Sequence, residues 1–360
     1  RTNLAVNPHF VTPAEKNRSR QMRDQPRALL ISATAMLLGL GLLAAVLVNT
    51  DLSQVGGYLS EVGIGIVAMI AAYKFAFVMD SWAWLMTLRS LPMRGIWIFR
   101  FWMVRMVGEA VNNATPLAGI GGEPVKAAIL NRCYGIGYGD GFASIVLART
   151  TFVIGLVPFL LIGFVLLVLE PGLSPHFKWG AGVGLIGLSA GIGTFFAIQR
   201  LRLTSRTGQW FAGFFSRPGL RDIFAKVGEF EDRLIDFYRC SPGRFNATII
   251  LCFLNWLMGA FELWIAFHLL GAPVSFVEAW IIEALVQLVR VGAFFVPLAL
   301  GTQEGAFTIA VSALTGNPAL GVAVAVLRRF RELVVLSAGL LIGPLVFGRS
   351  AMSPPPEEGG

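Results

Sequence analysis

Six long apolar stretches constrain this chain of 360 residues more strongly than any other feature. They lie at 28–48, 62–88, 142–169, 180–198, 245–270 and 318–347. A helix that crosses a bilayer needs about 20 consecutive apolar residues, so each stretch is long enough to span. Only 14% of the residues are charged, whereas a soluble domain is about a quarter charged. The sequence therefore predicts an all-α polytopic membrane protein with about six spanning helices, and it excludes an ordinary water-soluble enzyme.

The basic residues indicate which loops face the cytosol. Segments 1–27 and 199–244 hold six and nine of the 29 Lys and Arg residues, whereas the alternate loops at 49–61, 170–179 and 271–275 together hold one. Because basic residues collect on the cytosolic side of a membrane protein, both termini and segment 199–244 are predicted to be cytosolic. The same distribution explains the formal net charge of +8, so nucleic acid is not expected as a partner.

Three segments outside the apolar stretches have distinct compositions. The leader at 1–27 and the Pro-Glu-Gly tail at 349–360 are expected to be disordered. Within 199–244, apolar residues recur every three or four positions, which predicts an amphipathic helix. Such a helix either lies on the inner leaflet or packs against the protein's own cytosolic loops.

Residue types that usually form catalytic or metal sites are few in this chain. The three cysteines form no CxxC pair, the three histidines are scattered, and there is no Ser/His/Asp or HExxH arrangement. We therefore expect no catalytic site, no cofactor and no metal.

An internal repeat organises the apolar region. The stretch Pro116–Glu123 matches the stretch Pro297–Glu304, and in both the glutamate follows the proline by seven positions. Arg149 follows the first stretch by 26 residues, and Arg329 follows the second by 25. Matches in the same order over about 100 residues indicate a duplication.

The duplication sets the predicted topology of one transmembrane domain at 28–348. Repeat 1 at about 62–169 and repeat 2 at about 245–348 each consist of a spanning helix, a broken hydrophobic hairpin and a second spanning helix. The single linking helix at 180–198 makes the second repeat enter from the opposite side. This is an inverted-topology repeat, common among secondary transporters. We expect two re-entrant helical hairpins, the first dipping from the cytosolic face and the second from the outer face.

Proline and glycine predict where each hairpin breaks. The candidate helix-break residues are Pro116, Gly121, Gly122, Pro297 and Gly301. Proline lacks a backbone N–H, and glycine permits a tight turn. Irregular backbone at membrane depth is tolerated only inside protein or along a water-filled cavity. A half-helix that begins near Glu123 points free N–H groups into such a cavity, and this arrangement suits a phosphate.

The charged and polar residues of the hairpins and of the spans that follow them are the candidate substrate-binding or gating residues. They are Glu123, Arg149, Glu304, Arg329, Lys126, Arg105, Asn112, Asn113, Arg290 and Arg328. A charge that faces lipid at mid-depth costs about 2.5–3.5 kcal/mol, so these groups must pair or line a polar cavity. The spacing predicts the pairs Glu123–Arg149 and Glu304–Arg329. It leaves open whether such pairs bind a substrate or only hold the repeats together.

At these residues the chain resembles the transmembrane-domain family named after lysylphosphatidylglycerol synthase, also called flippase-like. The resemblance rests on Gly122-Glu123 with Lys126 and Arg149, and on Glu304-Gly305 with Arg329. It implies the movement of lipids, including aminoacylated phosphatidylglycerol, hopanoids or glycolipids. Family members that synthesise the aminoacyl lipid carry a soluble C-terminal domain, which this chain lacks, so we expect no transferase activity.

Together these features lead us to expect a lipid translocase of the bacterial inner membrane, with membrane lipids as its partners. An alternative is a non-transporting scaffold or accessory subunit for a lipid- or glycan-synthesising enzyme. A further alternative is an ion-coupled carrier of a small hydrophilic solute, whose cavity would be sealed from the bilayer.

Overall fold

A computed structural model describes residues 40–114, 121–200, 237, 239–293 and 296–344, and these residues form α-helices, short turns and no strand. The helices are α1 (Leu40–Val48), α2 (Leu52–Glu61), α3 (Ile66–Thr87), α4 (Gly95–Ala114), α5 (Gly122–Tyr134), α6 (Tyr138–Leu169), α7 (Pro175–Arg200), α8 (Pro242–Leu269), α9 (Phe276–Gly292), α10 (Thr302–Thr315) and α11 (Pro318–Ile342). Short 3₁₀ turns occur at Gly63–Gly65 and Pro297–Ala299. The all-α architecture predicted from the sequence is confirmed over these residues.

Polar side chains fix where helices begin. Asp51 Oδ1 accepts hydrogen bonds from the backbone N–H groups of Ser53 at 2.9 Å and Gln54 at 3.3 Å, and α2 starts there. At the start of α9, the backbone N–H of Ser275 donates to Glu278 Oε2 at 2.7 Å, and the N–H of Glu278 donates to Ser275 Oγ at 3.1 Å. This reciprocal capping satisfies donors that the first helical turn leaves free.

Two groups of four helices follow the predicted repeats, α3–α6 and α8–α11, with α7 between them. In each group the second and third helices pack together, and we call α4–α5 the first hairpin and α9–α10 the second. The third helices, α5 and α10, have 13 and 14 residues. At 1.5 Å per residue each is about 20 Å long, too short for a hydrocarbon core of about 30 Å.

The third helices also end alike. Gly135 follows α5 with φ 67°, and Gly316 follows α10 with φ 73°. Both values lie in the left-handed region, where a side chain would be strained and glycine is preferred. The correspondence between the two groups therefore extends to the residues that terminate their short helices.

Three described helices are long and apolar enough to cross a membrane: Gly63–Thr87, Tyr138–Leu169 and Pro242–Leu269. α1 and α2 meet at an angle of 92° and would add a fourth span if they act as one. α11 does not qualify because Arg328, Arg329, Arg331 and Glu332 all lie within it. By length and composition the described part thus supports three of the six predicted spans, at 62–88, 142–169 and 245–270, and the others remain predictions. A fourth span at 40–61 would overlap the predicted stretch 28–48 only in part.

The repeats contact each other through close helix packing. α3 packs against α8 more extensively than any other two described helices. Gly155 of α6 lies against α8 so closely that an added Cβ would be 2.7 Å from Cys252 Cβ. Gly339 of α11 likewise leaves no room for a Cβ beside the Met106 carbonyl of α4. Small residues therefore bring the two repeats together, as is usual for helices packed in membranes.

Several sequence predictions fall outside the described residues. They are the disordered leader at 1–27, the tail at 349–360, the break residue Pro116 and most of the predicted amphipathic segment at 199–244.

Candidate functional site

A cavity of about 540 Å³ lies between helices of both repeats. Five carboxylate residues and five arginines line it: Asp80, Glu109, Glu262, Glu283, Glu332, Arg105, Arg149, Arg290, Arg328 and Arg331. The volume falls within the range of about 300–1,000 Å³ that is typical of small-molecule sites. Walls in which half of the lining residues are charged are unusual for such sites, which are mostly apolar, so the ligand must be strongly polar where it contacts these charges.

In the first repeat, Glu123 at the start of α5 holds two cations. Its Oε1 accepts hydrogen bonds from Arg149 Nη2 at 2.7 Å and from Lys126 Nζ at 3.1 Å. Arg149 Nη2 also lies 3.5 Å from Glu109 Oε2. The ion pair Glu123–Arg149 predicted from the sequence is confirmed. The Arg149 side chain stays 38% exposed, so it remains accessible from the cavity.

We call Gly121 and Gly122, where α5 begins, the first break, and Asn112 near the end of α4 contacts it. Asn112 Oδ1 accepts a hydrogen bond from the backbone N–H of Gly122 at 2.6 Å, and its Nδ2 donates to Glu123 Oε1 at 3.3 Å. Gly122 starts α5, as predicted, and a Cβ there would collide with the Gly108 carbonyl of α4. The hydrogen bonds of Asn112 therefore cap a helix, whereas the sequence suggested a substrate contact.

We call residues 297–301 the second break, and its backbone is strained. Leu298 and Ala299 have φ values of 56° and 48°, in a region that L-residues other than glycine rarely occupy. Arg329 compensates, because its Nη1 donates to the Leu298 carbonyl at 2.8 Å and its Nη2 to the Ala299 carbonyl at 3.1 Å. Its Nε donates to Glu304 Oε1 at 2.5 Å. The predicted pair Glu304–Arg329 is confirmed, and all three nitrogens of this guanidinium hold the turn and α10.

The second repeat contains two further buried ion pairs. Arg328 Nη1 lies 2.6 Å from Glu283 Oε2, and Arg328 Nη2 lies 2.9 Å from Glu283 Oε1. Gln287 Nε2 donates to the same carboxylate at 2.7 Å. Arg331 Nη1 donates to Glu262 Oε2 at 2.9 Å. The bidentate Arg328–Glu283 pair is of the kind that offsets the cost of burying charge, whereas Arg331 and Glu262 share a single hydrogen bond.

The set of candidate site residues omits six charged residues that the structure places on the cavity. They are Asp80, Glu109, Glu262, Glu283, Arg331 and Glu332. Asp80 of α3 pairs with Arg105, and Glu262 of α8 pairs with Arg331. Asp80 and Glu262 occupy corresponding positions of the two repeats, each two residues before a tryptophan. An acidic residue at the same place in two apolar spans was the signal that could have identified them.

The structure divides the predicted site residues into two groups. Arg105, Asn113, Arg149, Arg290 and Arg328 line the cavity. Asn112, Gly121, Gly122, Glu123 and Lys126 lie at or beside the first break, and Pro297, Gly301, Glu304 and Arg329 lie at or beside the second. A small pocket that includes Glu123, Lys126 and Arg149 adjoins the cavity through its shared wall residues. Among the residues described, no group of histidine, cysteine or acidic side chains is arranged to hold a metal ion.

Comparison with known proteins identifies the family. The model of the lysylphosphatidylglycerol synthase TM region matches residues 29–339. No curated protein and no solved structure matches the chain significantly. The matched region includes both hairpins and every residue that lines the cavity. Three or four described spans and this match show a membrane protein. The chain belongs to the family of lysylphosphatidylglycerol synthase TM regions, which is associated with lipid handling.

Proposed function

We propose that this protein is a lipid translocase that moves a phospholipid or a related polar-headed lipid across the bilayer. The observation that carries the proposal is the cavity of about 540 Å³ between the repeats, with ten charged residues in its walls. A charged group in lipid is costly, and such walls let a polar head group pass while the acyl chains stay in the bilayer. Membership of a family associated with lipid handling supports the same conclusion.

In this proposal the two repeats are inverted halves of one carrier. The first hairpin opens toward the cytosol and the second toward the outer face, with both termini cytosolic in a bacterial inner membrane. Glu123 with Arg149 and Glu304 with Arg329 hold the two half-helices in place at 2.7 and 2.5 Å. If these two ion pairs break and re-form in alternation, one side of the cavity opens and then the other. No catalytic step or cofactor is involved, and an enzyme that makes the lipid is a possible partner.

A vesicle assay tests the proposal directly. The protein is reconstituted with lipids that carry a fluorophore on one acyl chain and an unmodified head group, and a membrane-impermeant reductant then bleaches only the outer leaflet. Wild-type protein should move labelled lipid from the inner to the outer leaflet, where the reductant bleaches it. Each lost charge-assisted hydrogen bond is worth about 1.5–3 kcal/mol, so E123Q/E304Q should lower the rate about tenfold or more. D51N, the same change at an exposed helix start, should leave it unchanged.

A non-transporting scaffold is the second candidate, and one observation favours it. Four of the five cavity arginines already bind carboxylates of the protein itself, which is what a purely structural network would do. A scaffold predicts no bleaching above that of protein-free vesicles, together with a lipid- or glycan-synthesising enzyme that copurifies at fixed stoichiometry. Equal rates for wild type and E123Q/E304Q would exclude the proposed role of the two glutamates.

A further inference from the structure

We propose that the cavity selects lipids with a zwitterionic head group, and that Arg290 binds the phosphodiester while Glu109 binds the ammonium. This inference rests on the proposed function and names its substrate class. It depends on four features of the cavity: an unpaired arginine, apolar neighbours of that arginine, a weakly held carboxylate, and balanced wall charges.

Arg290 differs from the other arginines of the cavity. It lies on α9, is half-buried, and makes no hydrogen bond or direct ion pair with any described residue, although the carboxylates of Glu332 and Glu283 attract it from farther away. The other four are paired as Arg105–Asp80, Arg149–Glu123, Arg328–Glu283 and Arg331–Glu262. A guanidinium keeps its charge at any physiological pH, and removal from water without a partner costs several kcal/mol. A phosphodiester supplies that partner, since its two free oxygens fit the guanidinium fork.

The neighbours of Arg290 favour a lipid over a water-soluble phosphate ester. Val289 and Val291 flank it on α9, and their exposed fractions are 39% and 36%. Adjacent helical residues are about 100° apart around the axis, so apolar surface lies on both sides of the guanidinium. Val291 also lines the cavity. A phosphate bound to Arg290 would therefore have apolar surface beside it for the attached acyl chains.

Glu109 lies on α4, the corresponding arm of the other hairpin, and its one direct ion pair is long, although Lys126 and Arg105 also attract its carboxylate. Its Oε2 is 3.5 Å from Arg149 Nη2, whereas that nitrogen is 2.7 Å from Glu123 Oε1. The Glu109 side chain is 26% exposed, compared with 1% for Glu283, the carboxylate that Arg328 holds at 2.6 Å. An ammonium group can displace so long and exposed a contact, and Asn113 in the same wall provides a carbonyl acceptor.

The balance of charge in the walls favours a head group without net charge. Five carboxylates and five guanidinium groups line the cavity. A zwitterion leaves this total unchanged. An anionic head group adds a negative charge and a cationic one adds a positive charge, and each is then poorly compensated away from water. Electrostatic complementarity therefore discriminates among lipids by their net charge, even when all of them contain the same phosphate.

Binding of short-chain lipids to the purified full chain tests this inference independently of transport. The probes are dioctanoyl phosphatidylethanolamine, which is zwitterionic, dioctanoyl phosphatidylglycerol, which is anionic, and its lysyl ester, which is cationic. We expect the zwitterionic lipid to bind about tenfold more tightly than either of the others, a difference of about 1.4 kcal/mol. Free phosphoethanolamine, without chains, should bind weakly. If it binds as tightly as the lipid, the protein recognises a soluble ester instead.

Variants of Arg290 and Glu109 test which residue binds the phosphodiester and which binds the ammonium. R290Q should weaken binding of the zwitterionic lipid about tenfold, and R290K should recover part of the loss because it restores the charge. E109Q should abolish the preference over the anionic lipid. The control is R100Q, which alters an arginine stacked on Trp97 and Tyr134 away from the cavity and should bind like wild type.

The inference would also be overturned if wild type bound a charged lipid as tightly as the zwitterionic one, if R290Q bound the zwitterionic lipid like wild type, or if E109Q kept the preference over the anionic lipid. The wild-type comparison stands even if a variant fails to fold. Selective binding without transport in vesicles would refute the proposed function and leave the binding preference in place. Transport that is equally fast for all three head groups would refute this inference alone.

Discussion

Exchange of Glu283 for glutamine removes one partner of a bidentate ion pair in the cavity wall. Arg328 and Glu283 are joined at 2.6 and 2.9 Å, and their side chains are 5% and 1% exposed. The next carboxylate, Glu262, is 4.0 Å from Arg328 and already binds Arg331 at 2.9 Å. A buried charge left without its partner costs about 3–5 kcal/mol. The free energy of unfolding should therefore fall by about that amount, which lowers the folding equilibrium constant by about two to four orders of magnitude.

The assay is reversible unfolding in mixed micelles, followed through the fluorescence of the nine tryptophans. In E283Q/R328M both partners are uncharged, and replacement of a buried pair by neutral groups is often close to neutral. The double variant should therefore regain most of the lost stability. D51N is the control, because Asp51 is exposed and asparagine caps a helix as well as aspartate does. Wild-type stability in E283Q, or a double variant as unstable as E283Q, would refute the reasoning.

Three smaller predictions concern the packing and the two breaks. G321A should lower the free energy of unfolding by about 1–3 kcal/mol, because its Cβ would lie 2.7 Å from the α10 backbone. G187A on α7 should raise the free energy of unfolding by about 0.5–1 kcal/mol, because a Cβ there meets nothing. Similar unfolding curves for the two variants would contradict this. N112A removes the acceptor of the Gly122 N–H and should lower the free energy of unfolding by about 1 kcal/mol. Amide hydrogen exchange at the start of α5 should become faster, and an unchanged exchange rate would contradict the capping role of Asn112. R329K cannot reproduce the guanidinium contacts with the second break, so limited proteolysis there should accelerate, and an unchanged cleavage rate would show that Arg329 does not hold the turn.

The sequence was sufficient for the features that depend on local composition. Proline and glycine followed by glutamate predicted a helix start near Glu123, and α5 begins at Gly122. The cost of an isolated charge in a membrane made partners for Glu123 and Glu304 necessary. The repeat spacing then identified Arg149 and Arg329, which lie at 2.7 and 2.5 Å from them.

The features that depend on contacts between helices could not be predicted from the sequence. Asn112 and Arg329 were predicted as substrate-binding or gating residues and the role of the Arg329 pair was left open, because a residue type does not reveal whether its hydrogen bonds go to a ligand or to backbone. Here Asn112 bonds the Gly122 N–H at 2.6 Å and Arg329 bonds two carbonyls of the second break. Asp80 and Glu262 reach the cavity from α3 and α8, and no spacing within one repeat predicts how those two helices pack.

Translocation through the cavity is the central claim, and closing the cavity tests it most directly. Asn255 of α8 lines the cavity, and a tryptophan in its place would project into it. Ile186 of α7 is 45% exposed and provides a matched position for the control I186W. In the vesicle assay, we expect no more inner-leaflet lipid to be bleached in vesicles with N255W than in protein-free vesicles. Vesicles with I186W should give the wild-type amount of bleaching. Lipid movement at the wild-type rate in folded N255W would contradict this claim.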